Sequence, residues 1–73
     1  MKMQINIHYC TVWNYQPKAA SLAEELHNEL GLDAKLVPGQ KGVFNVVVDG
    51  QLVFSKHETG RFPEKGEIVD TLR

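Results

Sequence analysis

The apolar residues change period twice within the first half of the chain, and this limits the fold more than any other feature. Met3, Ile5, Ile7 and Tyr9 alternate with Gln4, Asn6 and His8, the pattern of a strand with one face on a core and an end near Tyr9. Ala19, Leu22, Ala23, Leu26 and Leu30 then recur at helical spacing, with Glu24, Glu25, Asn28 and Glu29 opposite. Leu32, Ala34 and Leu36 return to alternation with Asp33 and Lys35. Pro17 fits a helix only in its first turn, so the helix is predicted to open near Asn14 or Tyr15, with Asn14 as N-cap and Gly31 as the left-handed stop. A helix of about 16 residues retraces roughly 24 Å, close to the length of one strand. The result is a β-α-β unit with parallel strands and a right-handed crossover.

Beyond it, Pro38-Gly39-Gln40-Lys41-Gly42 reads as a turn, and Val43 to Val48 is rich in β-branched residues. Asp49-Gly50 is a strong type I′ signal, so Val43–Val48 and Gln51–Lys56 are expected to form an antiparallel hairpin. His57 to Phe62 is predicted to be loop, and Pro63 to Leu72 a short helix burying Ile68, Val69 and Leu72. The order is β-α-β-β-β-α, an α/β domain with a four-stranded mixed sheet. A ferredoxin-like sheet is the alternative architecture. Phe44 and Phe54 are expected in the core.

At 73 residues, 1–73 is a single domain, and 42% hydrophobic residues distinguish it from a disordered chain. A formal charge of −1 offers no broad attraction to nucleic acid or to an anionic membrane. One cysteine makes no internal disulfide, the first six residues lack an apolar signal-like run, and no stretch is apolar enough to span a bilayer. The expectation is a cytoplasmic protein with no membrane partner.

Cys10 is expected just past the first strand and just before the helix, where free backbone N–H groups and the helix dipole favour an anion. That placement predicts an accessible, acidified thiol. A lone cysteine is otherwise among the most buried residue types and simply packs. A zinc site needs three or four ligands, and His8, Cys10, His27 and His57 show no sequence reason to converge, so no metal is expected. Lys18, Lys56 and Arg61 are candidate contacts for an anionic ligand, and Tyr9, Tyr15 and Phe62 for the frame of the loop.

The chain resembles the selenoprotein W, T and H group, the Rdx family, over nearly its whole length. The resemblance rests on Ile7-His8-Tyr9-Cys10, on Tyr15 to Leu26, on Gly42 to Lys56 and on Gly60-Arg61-Phe62-Pro63. It implies a thioredoxin-like fold and a redox loop of the form Cys-x-x-Cys or Cys-x-x-selenocysteine. Here Cys10, Thr11 and Val12 fill the first three positions and Trp13 the fourth. An indole neither attacks nor resolves a mixed disulfide, so the chain as written has half of that couple. Two readings of Trp13 stand side by side: a selenocysteine codon, UGA, read as tryptophan, or divergence to a single-cysteine protein. The resemblance implies redox homeostasis through thiol–disulfide or peroxide chemistry, with glutathione or thioredoxin as reductant. The rival class is a non-catalytic interaction module of the same fold, anchored by Trp13.

Overall fold

The computed structural model describes residues 3–73; Met1 and Lys2 lie outside the described residues. Its elements are β1 (Ile5–Cys10), α1 (Gln16–Leu30), β2 (Ala34–Gly39), β3 (Phe44–Val48), β4 (Gln51–Ser55), α2 (Lys56–Thr59) and α3 (Glu67–Leu72). The sheet order is β2-β1-β3-β4. β1 pairs in parallel with β2 and antiparallel with β3, and β3 pairs antiparallel with β4 through a register shift between Val46 and Val47. Because β2 lies directly beside β1, no strand is inserted into the β-α-β unit. This is the thioredoxin-like arrangement and excludes the ferredoxin-like split unit.

Period-2 alternation sends Ile5, Ile7 and Tyr9 of β1 and Phe44, Val46 and Val48 of β3 into the core. Ala19, Leu22 and Leu26 of α1 and Ile68 and Val69 of α3 are buried with them, and Phe54 completes the cluster. α1 packs on β1, β2 and α3. Asp49 and Gly50 have φ of 52° and 82°, the positive pair that a type I′ turn requires. The Asp49 carboxylate accepts the Gln4 N–H at 2.8 Å while the Asp49 N–H donates to the Gln4 carbonyl at 2.8 Å, which ties the turn to the start of β1.

Five local expectations are corrected. Pro38 and Gly39, expected in the turn, belong to β2 and pair with Tyr9 and Cys10 of β1. β1 runs one residue further, through Cys10, because the Cys10 N–H finds a ladder partner in the Val43 carbonyl at 2.8 Å. The N-cap of α1 is Tyr15 without a side-chain bond, whereas Asn14 takes a left-handed φ of 58° in the turn before it. Lys56–Thr59 forms one helical turn, closed by Gly60, where Lys56 was expected to end the strand and loop to begin at His57. α3 starts at Glu67 and not at Pro63, since the Glu67 carboxylate folds back to accept the Glu64 N–H at 2.9 Å and to pair with Arg61. Leu72 packs half-buried against the core.

Candidate functional site

The segment Thr11–Asn14 is a tight turn between the end of β1 and α1. It is held at three backbone points. The Thr11 N–H donates to the Gly39 carbonyl at 3.4 Å, the Asn14 N–H to the Thr11 carbonyl at 3.2 Å, and the Tyr15 N–H to the Cys10 carbonyl at 3.0 Å. This folding brings the Trp13 N–H to within 3.4 Å of Cys10 Sγ, to which it donates.

Cys10 is 0% exposed, so the expectation of an accessible thiol is overturned. The reason is the extra ladder residue: pairing with Val43 draws Cys10 out of the turn and into the sheet, where Gly39 stands beside it on β2. Val12 and Trp13 are instead the outward residues of the turn, 78% and 61% exposed. Thr11 is also exposed.

The Trp13 indole does not stand free. A methyl built on Gly42 would lie 2.6 Å from its Cζ3 and 2.9 Å from its Cε3, so the ring rests against the Gly42 α-carbon. Gly42 itself is buried, with φ of 69°. In the sequence Gly42 ends a turn and opens the segment Gly42 to Lys56 that carries the family resemblance, and neither feature sets it against Trp13. The signal available was a glycine directly before Val43, the residue whose carbonyl holds Cys10.

Aromatic rings run from the turn into the core. Trp13 and Tyr15 meet edge-on with centroids 6.1 Å apart, Tyr15 and Phe62 at 4.7 Å, and Phe62 and Phe44 at 5.2 Å. Tyr15 and Phe62 therefore frame the turn as expected, while Tyr9 belongs to the core. Lys18 Nζ lies 5.3 Å from the Phe62 centroid, and Lys56 Nζ lies 5.4 Å from it and 5.7 Å from that of Tyr15. Both ammonium groups thus stand on the aromatic frame. Arg61 is committed elsewhere: it bonds both Glu67 carboxylate oxygens, at 2.7 and 2.9 Å, with its guanidinium over Phe54. The hydrogen bonds from Arg61 and from the Glu64 N–H hold the Glu67 carboxyl at about 2, well below its ordinary range. Among the described residues, no three His, Cys, Asp or Glu side chains are placed to hold a metal ion, and no helix is long and apolar enough to cross a membrane.

The fold has close parallels. A selenoprotein W-related protein from Vibrio cholerae superposes with a TM-score of 0.84 at 28% identity, over the full length of both chains. A protein of known structure from Bordetella parapertussis gives 0.86 at 33% identity, covering 97% of this chain and 99% of its own. The proteins named migration and invasion enhancer 1 from Mus musculus and Bos taurus are 31% and 29% identical over 72 residues, 97% of this chain. The chain spans 63% of the length of those two mammalian relatives. Residues 4–73 match the profile of the Rdx family. With fold and sequence in agreement along the chain, this protein belongs to the Rdx family.

Proposed function

We propose that the protein is a small redox protein of the selenoprotein W-like type, in which Cys10 is the exchanging thiol and the Thr11–Val12–Trp13 turn its support. One observation carries this reading: the backbone of position 13, the family's second redox position, is folded onto Cys10 with its N–H donating to Sγ at 3.4 Å. A donor held there faces the atom that bears negative charge when a disulfide to Cys10 breaks.

The chemistry follows from a single chalcogen. The Cys10 thiolate attacks one sulfur of glutathione disulfide, the glutathione S–S bond breaks, a Cys10–glutathione mixed disulfide forms, and one glutathione thiolate leaves. An external thiolate, from glutathione or thioredoxin, then attacks the glutathione sulfur, forming a new disulfide and returning the Cys10 thiolate. Electrons balance with no other oxidant. Where position 13 carries selenocysteine, the same geometry sets a selenol beside Cys10, and the resolving step becomes internal. Because Cys10 is buried, exchange requires local opening of the turn, a motion far smaller than unfolding. The setting of this chemistry is redox homeostasis in the cytoplasm.

The test is intact-mass analysis of the native protein in glutathione disulfide. One glutathionyl group is expected on the parent and none on Cys10→Ser, with release by reduced glutathione or thioredoxin. An adduct that forms only after unfolding in urea would contradict the proposal. The exposure of Val12 and Trp13 favours a second reading, a non-catalytic interaction module that presents these two side chains to a partner protein.

A further inference from the structure

We infer that Gly42 is a positioning residue of the redox turn: it seats the Trp13 indole, and that seat keeps the turn closed over Cys10. This rests on the exchange role proposed for Cys10. Four contacts close a circuit. The Trp13 N–H donates to Cys10 Sγ at 3.4 Å, the Trp13 indole rests on the Gly42 α-carbon, Gly42 is bonded to Val43, and the Val43 carbonyl accepts the Cys10 N–H at 2.8 Å. The circuit joins the turn to the strand on the far side of the cysteine.

With the indole in place a side chain at position 42 has no room, and the exposed ring must move to admit one. The β-carbon at position 42 would stand 2.6 Å from Cζ3, 2.9 Å from Cε3 and 3.3 Å from Cη2 of Trp13, so the indole would be lifted as a body. Lifting the indole pulls on the backbone that carries the N–H bonded to Sγ. The expected consequence is a more open turn and a faster-reacting thiol. Trp13 is the one tryptophan in the chain, so its fluorescence reports the seat without added probes.

The test compares the parent with Gly42→Ala, Trp13→Ala and the double variant, all under native conditions. Iodoacetamide alkylation of Cys10 forms a carbon–sulfur bond and expels iodide, so it reports access without disulfide exchange. Each single variant should react about tenfold faster, and the double variant no faster than Trp13→Ala, because without the indole a methyl at position 42 meets nothing of Trp13. Emission from Gly42→Ala should shift to the red as the ring gains solvent.

Gly60→Ala separates this from simple backbone strain. Gly60 also has a positive φ, 74°, but nothing lies within 4 Å of a β-carbon there. It should lower stability and leave the native alkylation rate unchanged. Additive rate effects in the double variant would overturn the inference, as would equal acceleration by Gly60→Ala. Should Gly42→Ala fail to fold, Trp13→Ala decides alone, and an unchanged alkylation rate there overturns it. Failure of glutathione exchange in the parent with coupled alkylation rates would instead reject the redox reading and leave the positioning role standing.

Discussion

The backbone N–H of Trp13 donates to Cys10 Sγ at 3.4 Å while the side chain of the same residue turns outward, 61% exposed. Main chain and side chain at position 13 therefore have separate jobs. The main chain touches the sulfur, and the indole resting on Gly42 steadies the turn that brings it there. A chalcogen there would stand three bonds from a nitrogen already beside Cys10.

Trp13→Cys is accordingly expected to form an internal disulfide, since bridging needs α-carbons within about 7 Å and the turn already folds residue 13 back onto residue 10. Mild oxidation should remove both titratable thiols with the loss of two hydrogens in intact mass and without dimers. The parent should lose its single thiol only to dimerisation or to an external cap. Intermolecular disulfides alone in a folded variant would argue against the turn geometry and in favour of the interaction module.

Gly50→Val should destabilise the domain by about 1–3 kcal/mol, because a β-branched residue is forced to positive φ at the second turn position. Gly50 has φ of 82°, and a β-carbon there meets no neighbour, so the effect isolates backbone strain. Urea titration with unchanged slope would read it directly.

Leu26→Ala should cost about 2–5 kcal/mol. Leu26 is 0% exposed and lies in the cluster that α1 shares with the sheet. Urea titration is again the measurement.

The Arg61–Glu67 pair gives a pH signature of fixed sign. The Glu67 carboxyl is held at about 2 against an ordinary 4.5, so its contribution to stability is complete above the ordinary value and is lost as pH falls toward 2. Both partners are partly solvent-exposed, so the effect is small and weakens in salt. Thermal melts of the parent and Glu67→Gln between pH 5 and pH 2 should converge as the solution is acidified.

The elements with a long period were legible in the sequence, and those decided by distant partners were not. β1, α1 and β2 follow from alternation and helical spacing, and the hairpin from Asp49-Gly50. The burial of Cys10 depends on a hydrogen bond to Val43, a residue far along the chain, and no local pattern encodes it. α2 is a single turn, too short to show a period. The late start of α3 depends on Glu67 reaching back to Arg61 and to the Glu64 N–H. The same holds at the site. Position 13 was marked by the resemblance, whereas the rest of its indole on Gly42 required the fold.

The central claim is that Cys10, though buried, exchanges from the folded protein by opening of its turn. The most direct measurement is the rate of mixed-disulfide formation with glutathione disulfide as urea rises from zero to just below the unfolding transition. Local opening exposes little surface, so the expected rate is nearly flat across that range. A rate that climbs from zero urea with the full slope of global unfolding would mean that Cys10 reacts only in the unfolded chain, and would make it a packing residue.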